Sequence, residues 1–190
     1  MRSPTKIASY REAGAMASAE PVALAVQADE AAEPLRLTWD PNAVASPPRN
    51  AEPEASPWEI DGEIDWQRAG SVRLLSASFE EGRAFALAAL RPRNVVGHGR
   101  DSVASYLVEE GEPVTVGEAL LSTEYDADGL PRRVGVEVIV DPEAAPLRIA
   151  GDREGPVEVR GDGARREAAR MSFRLEGMSG SGLYEVLRAP

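Results

Sequence analysis

The chain has 190 residues and a formal net charge of −11, from 32 acidic against 21 basic side chains. This balance argues against nucleic acid or an anionic membrane as a partner, because both are bound through basic patches. The chain has no cysteine and one histidine, His98, which excludes disulfides, cysteine-based zinc sites and two-histidine metal motifs. We therefore expect no metal and no other cofactor.

No stretch approaches the ~18 consecutive apolar residues of a membrane span. The longest apolar run near the start of the chain, residues 22–26, is too short for the core of a signal peptide. We therefore expect a cytoplasmic protein without a membrane span.

Residues 1–58 differ in composition from the rest of the chain. They hold 14 alanines and eight of the 15 prolines, and such a segment offers little apolar surface to offset its conformational entropy. We expect residues 1–58 to be mostly disordered and residues 59–190 to form one β-domain. The exception is Leu35–Trp39, which alternates apolar and polar residues before Asp40-Pro41, as a strand followed by a turn does.

The clearest element is a hairpin over Leu120–Asp141. Its turn is built from Asp126-Ala127-Asp128-Gly129, and the run after the turn places a valine at every second position. We expect the valine face to point into the core and Arg133 and Glu137 to point outward. The valines are Val134, Val136, Val138 and Val140.

Similar short runs, separated by glycine-containing turns, continue from Gly70 to the C-terminus and predict eight to nine strands. Residues 163–170 are either a helix-like patch or an extension of the next strand, in which Met171, Phe173 and Leu175 form a core face. Residues 177–182 are expected to be a glycine-rich turn. Hairpins in series favour an all-β fold, an antiparallel up-and-down meander that forms a lipocalin-like barrel or an open sandwich.

His98 lies between two glycines, with Arg100 and Asp101 close by in the sequence. A histidine oriented by a carboxylate can act as a general acid or base, so His98 and Asp101 are the candidate catalytic pair. Neighbouring residues on a strand point to opposite faces, so His98 and Asp101 meet only if the segment turns. The alternative is a polar loop or strand end that satisfies its own backbone.

The few aromatic side chains are candidates for contact with an apolar ligand, because barrel interiors bind such ligands. The candidate ligand-binding residues are Trp66, Arg100, Tyr106 and Tyr125. The alternative for the aromatic residues is a place in the core or at its rim.

Four stretches from Asp65 onward carry a resemblance to a known family. They are Asp65-Trp66 followed by SASFEEGRAFALAALR, then GHGRDSVASYLVEEGEPV, LLSTEYDADGLPRRVGVEV and RREAARMSFRLEGMSGSGLYEVLR. In this order they resemble the C-terminal half of a lipocalin-like family, the AttH and carotenoid hydratase (hydroxyneurosporene synthase) type. The resemblance covers about two thirds of the chain, and the family's first half is nearly absent.

The resemblance implies an antiparallel barrel-like fold with an apolar cavity and a lipophilic substrate, isoprenoid or steroid-like. We expect the protein to bind a lipophilic small molecule. If it is an enzyme, the expected reaction is hydration or cyclisation at a C=C bond by acid/base chemistry without a metal. The alternative is a non-enzymatic β-domain that associates with a partner chain, or with itself as a homodimer, through an uncovered sheet face.

Overall fold

The computed structural model describes residues 20–44, 56–95, 101–161 and 163–190. These residues form thirteen strands and two short 3-10 helices, over Pro41–Val44 and Glu80–Gly82. Neither helix of the described ranges is long and apolar enough to cross a membrane. The strands are β1 (Val22–Val26), β2 (Leu35–Trp39), β3 (Trp58–Asp61), β4 (Ala69–Phe79), β5 (Ala84–Pro92), β6 (Ser102–Glu109), β7 (Glu112–Val114), β8 (Glu118–Tyr125), β9 (Pro131–Ile139), β10 (Leu147–Arg153), β11 (Glu158–Gly161), β12 (Arg165–Leu175) and β13 (Met178–Arg188).

The larger sheet is antiparallel and follows the order β7-β6-β5-β4-β13-β12-β10-β9-β8, with β11 paired to β12. Its first strand, β4, pairs with its last, β13, as the two ends of an up-and-down barrel do. However, β7 and β8 follow each other in sequence and lie at opposite edges of the sheet. The sheet is therefore a curled half-barrel, and the predicted all-β antiparallel fold class is confirmed.

The two edges of the half-barrel, β6 and β7 on one side and β8 on the other, lie near each other but are not joined by strand pairing. We call this gap the opening. Since β7 is only three residues long, the paired wall on that side is short.

The concave face of the half-barrel holds the main hydrophobic core. Alternate residues point to this face because successive side chains of a strand point to opposite sides of a sheet. The predicted core face of Met171, Phe173 and Leu175 is confirmed as part of this core. The other large members include Leu75, Phe79, Phe85, Leu87, Leu107, Val134, Val136, Val138, Ile149, Tyr184 and Val186.

The central hairpin forms as expected, from β8 and β9. Val134, Val136 and Val138 are buried, while Val140 lies just beyond the end of β9 and is 37% exposed. The side chains of Arg133 and Glu137 are about half exposed. The inward valine face is thus confirmed for the three valines within the strand.

A second core lies on the outer face of β4 and β5, where the three-stranded sheet β1-β2-β3 packs. Trp39 is fully buried there, and its indole nitrogen donates a hydrogen bond of 2.7 Å to the Ser76 hydroxyl. Its ring also packs against Trp58 and Tyr106, at centroid distances of 6.4 and 6.2 Å.

The strand predicted at Leu35–Trp39 is confirmed. The structure differs from the expected disorder at Val22–Val26, because β1 pairs with β2 and buries Val26 against the larger sheet. Few apolar residues suffice when a ready-made sheet face receives them. The other parts of the expected disordered segment, residues 1–19 and 45–55, lie outside the described residues.

Strands β12 and β13 cover most of two segments for which the sequence predicted other or ambiguous structure, residues 163–170 and 177–182. Residues 165–175 are strand throughout, so the helix-like patch is the extension of β12. The turn expected over residues 177–182 is shorter than predicted: the chain turns at Glu176 and Gly177, and β13 begins at Met178 and carries Gly180 and Gly182 inside the strand. Pairing with β4 and β12 on both sides holds these glycines extended.

Candidate functional site at the polar end of the half-barrel

The inward-facing side chains change from apolar to charged along several strands of the half-barrel. On β4 the order is Phe79, Ala77, Leu75 and then Arg73. On β12, Leu175 to Ala169 give way to Glu167 and Arg165, and the register aligns Arg73, Val186 and Glu167 in one row across β4, β13 and β12. We call this end of the interior the polar end. Its residues are Arg73, Asp101, Thr123, Tyr125, Arg165, Glu167, Tyr184 and Arg188.

Arg73 and Asp101 form an ion pair at the polar end, with side chains 7% and 16% exposed. Arg73 comes from the middle of the sheet, and Asp101 directly precedes β6 at the opening. Two charges that lie this far from water stabilise each other, and removal of either would leave the other uncompensated. The Arg73 Nε atom has no hydrogen bond to a described residue.

The hydroxyls of Tyr184 and Thr123 are 2.6 Å apart. Tyr184 lies on β13 and Thr123 on β8, and three other strands separate these two in the sheet order. The hydrogen bond therefore crosses the interior and joins the edge strand to the opposite wall. Burial raises the pKa of the Tyr184 hydroxyl, and the neighbouring Arg73 charge only partly offsets this effect. The hydroxyl thus stays neutral.

Glu167 lies between two arginines, although its side chain is only 2% exposed. Its Oε1 atom is 2.9 Å from Arg165 Nε, and its Oε2 atom is 3.5 Å from Arg188 Nε. The Arg188 guanidinium also lies 5.3 Å from the centre of the Tyr125 ring, within the range of a cation–π contact. Within the described residues, neither Glu167 Oε2 nor Arg188 Nε makes a hydrogen bond.

The charges of the polar end leave a positive excess. Among the described residues of the polar end, three arginines, Arg73, Arg165 and Arg188, face two carboxylates, Asp101 and Glu167. This excess contrasts with the net charge of −11 of the whole chain. Arg73 and Glu167 are buried, whereas Arg165 and Arg188 reach solvent. Buried charges beside solvent-accessible ones are candidates for a functional site.

The opening carries apolar side chains that are only partly buried. They are Val103 on β6, Val114 on β7, Val116 in the following loop and Leu121 on β8, and all of them pack against the concave core. Leu147, Val157 and Met178 are also partly buried against this core, at other places in the sheet. The opening is therefore one of the places where the apolar interior of the half-barrel meets solvent.

A shallow pocket of about 230 Å³ lies on the outer face of the sheet, over β8, β9 and β10. It exists because the paired residues Gly135 and Ala150 have little or no side chain. The ion pair Arg133–Asp152 borders it, and this contact lowers the pKa of the Asp152 carboxyl. On the same outer face Leu120 is 46% exposed. Self-association through this face, the alternative function, stays a prediction.

The structure separates the residues that sequence analysis selected. Asp101 and Tyr125 both belong to the polar end. Trp66 and Tyr106 pack with the outer core, on the other side of the sheet. His98 and Arg100 lie outside the described residues, so the catalytic pair of His98 and Asp101 stays a prediction.

Sequence analysis missed Arg73, Glu167 and Arg188 as site residues. A usable signal was present for two of them, because Arg73 and Glu167 occupy inward positions of strands whose other inward residues are apolar. A charge at such a position is either paired or functional. The meeting of Tyr184 with Thr123 carried no local signal, because the two residues are 61 positions apart.

No protein-family model and no curated protein matches this chain. The class defined by the fold and the site is therefore a curled antiparallel half-barrel with an apolar interior and a charged polar end. The resemblance to the AttH and carotenoid hydratase type stays an expectation.

Proposed function

We propose that the half-barrel binds a lipophilic small molecule at the opening, between β6 and β8. The observation that carries this proposal is the set of partly buried apolar side chains at the opening, Val103, Val114, Val116 and Leu121. Burial of apolar surface contributes roughly 25 cal/mol per Å². A ligand that covers these side chains removes their apolar surface from water, and this burial favours binding.

The concave geometry also supports binding. Ligand sites are typically concave and mostly apolar, with a few polar groups that fix the orientation of the ligand. The concave core supplies the apolar part, and the polar end supplies arginines, carboxylates and hydroxyls. The expected lipophilic substrates of the resembled family, isoprenoid or steroid-like, agree with this proposal.

Acid/base chemistry by His98 and Asp101 is a separate hypothesis. Asp101 lies at the polar end beside the opening, but it is already paired with Arg73. The binding proposal does not require proton transfer by either residue.

The proposal is tested by titration with N-phenyl-1-naphthylamine, an uncharged fluorescent probe whose emission rises in apolar surroundings. We expect saturable binding to the wild type, and an at least tenfold loss of affinity in Leu121→Arg, since the variant places a charge where an apolar ligand would lie. The matched control is Leu120→Arg, at the neighbouring residue that points to the outer face. We expect it to bind as the wild type does.

Two results would contradict the proposal. One is the absence of saturable binding to the wild type, and the other is an equal loss in the two arginine variants. Circular dichroism and the thermal midpoint of both variants show whether the fold is retained, so that misfolding is not mistaken for loss of the site. If Leu121→Arg does not fold, Val116→Arg in the loop serves in its place.

A further inference from the structure

We propose that the ligand is a medium-chain monocarboxylic acid, whose carboxylate binds to the arginines of the polar end while its hydrocarbon chain lies along the opening. This inference rests on the proposed function and adds the chemical class of the ligand. It follows from the order of residues along the two walls of the opening and from the charges at the polar end.

The two walls of the opening change from apolar to polar in the same direction in space. On β8 the inward residues are Ala119, Leu121, Thr123 and Tyr125, in that order. On the β6 side the inward series runs from Leu107 through Ser105 and Val103 to Asp101. Leu107 pairs with Val114 near the apolar end, and both Asp101 and Tyr125 contact arginines of the polar end.

This common direction suits an amphipathic molecule better than a uniformly apolar one. Leu121 and Tyr125 are four residues apart on an extended strand, which corresponds to about 13 Å. An alkyl chain of medium length covers this distance while its headgroup remains at the polar end. A ligand without a polar group would leave the charged groups there without an additional partner.

The sign of the headgroup follows from the charges. Arg165 and Arg188 share a single carboxylate, Glu167, and the contact between Arg188 and Glu167 is the longer, at 3.5 Å. Within the described part of the chain, Arg188 has Glu167 and Tyr125 as its only charge and ring partners. A guanidinium carries five N–H donors and binds a carboxylate in a two-point geometry. An anion is therefore the headgroup that this cluster accepts.

The test is displacement of N-phenyl-1-naphthylamine by dodecanoic acid and by 1-dodecanol, which differ in the headgroup. We expect the wild type to bind the acid at least about tenfold more tightly than the alcohol, because hydrogen bonds to charged groups are the stronger ones. In Arg188→Gln the acid should lose more affinity than the alcohol does, so that this preference falls to near unity. The matched control is Arg148→Gln, because Arg148 is 76% exposed and pairs with Glu137 away from the polar end.

The outcomes separate the two proposals. Equal binding of acid and alcohol by a wild type that still binds the probe overturns the carboxylate proposal and leaves the binding of a lipophilic molecule in place. A wild type that binds neither the probe nor either lipid overturns the proposed function itself. If Arg188→Gln fails to fold, Arg165→Gln tests the same cluster from the more exposed arginine. A preference for the acid that survives in the folded arginine variant counts against the proposal.

Discussion

At the scale of single residues, the hydroxyl of Tyr184 on β13 connects this strand to β8 across the interior of the half-barrel. It is buried, and it lies 2.6 Å from the Thr123 hydroxyl and beside Arg73. Either hydroxyl can donate in this bond, but a guanidinium offers only donors, so we expect the Tyr184 hydroxyl to accept from Arg73 and to donate its proton to Thr123. With this direction, Thr123 is the acceptor that satisfies a buried donor.

This direction of the bond predicts unequal costs for its two partners. Thr123→Val leaves the buried Tyr184 donor without its acceptor, and we expect a loss of about 1–3 kcal/mol in the free energy of unfolding. Tyr184→Phe removes the donor itself, and we expect a loss of about 1 kcal/mol. The measurement is urea unfolding of both variants and of the double variant.

The double variant is the decisive comparison for this bond. Addition of Tyr184→Phe to Thr123→Val should restore part of the lost free energy, because it removes the hydroxyl donor that Thr123→Val leaves without an acceptor. Simple additivity of the two single losses would show that the two hydroxyls do not depend on each other.

Protonation of Asp126 at acidic pH should destabilise the central hairpin. Its carboxylate accepts hydrogen bonds from the backbone N–H groups of Leu130 and Asp128 and pairs with Arg153. These contacts, chiefly the bond from Leu130, lower the pKa of the Asp126 carboxyl below its ordinary value of 3.8. The folded protein therefore binds a proton at Asp126 less readily than the unfolded chain does.

The pH dependence follows from this difference. The stabilisation by Asp126 is fully present above the unfolded pKa of about 4 and is lost as the pH falls through the lower, folded pKa. We expect Asp126→Asn to flatten the fall of the unfolding free energy below about pH 4, measured by urea unfolding at several pH values. The control is Asp128→Asn, which removes an exposed carboxylate of the same turn. Equal flattening in both variants would refute the assignment.

At the scale of elements, β13 shows how the sheet is able to curl. Two of its inward positions are glycines, Gly180 and Gly182. A Cβ atom at Gly182 would lie 1.9 Å from the Ser76 carbonyl oxygen, and one at Gly180 would lie 2.4 Å from the Phe79 ring. Glycine inside a strand typically marks such close approach and strong bending.

The matching prediction concerns Gly182→Ala. Since the neighbouring atom belongs to the backbone of β4, the strands must shift apart, and we expect a loss of about 1–3 kcal/mol in the free energy of unfolding. Gly161→Ala is the control, because a Cβ atom there meets nothing within 4 Å. Thermal or urea unfolding measures both. Similar small effects of the two substitutions would show that the close approach at Gly182 does not constrain the sheet.

At the scale of the whole molecule, the two faces of the half-barrel lie in different surroundings. The three-stranded sheet covers the outer face of β4 and β5 and buries Trp39 and Trp58 there. The concave face contains the core that reaches solvent at the opening. Since the outer face of β4 and β5 is covered and the concave face reaches solvent at the opening, both ligand experiments address the concave side.

Local sequence determined the elements of this protein. Alternation of valines in β9 and of Met171, Phe173 and Leu175 in β12 predicted strands and their buried faces, because the period of a strand is a property of neighbouring residues. The turn at Asp126 was likewise predictable from the preference of aspartate and glycine for turns. The same rule failed at Gly180 and Gly182, where pairing on both sides keeps glycine within a strand.

Only the tertiary structure decided which strands meet and which charges gather. The pairing of β4 with β13 joins residues about a hundred positions apart, and the curl of the sheet then brings Thr123 to Tyr184 and Tyr125 to Arg188. Such contacts depend on the summed bend of many strands rather than on any local pattern. The sequence by itself therefore determined an antiparallel sheet with an apolar face, and the curvature of that sheet decided where the opening and its polar end lie.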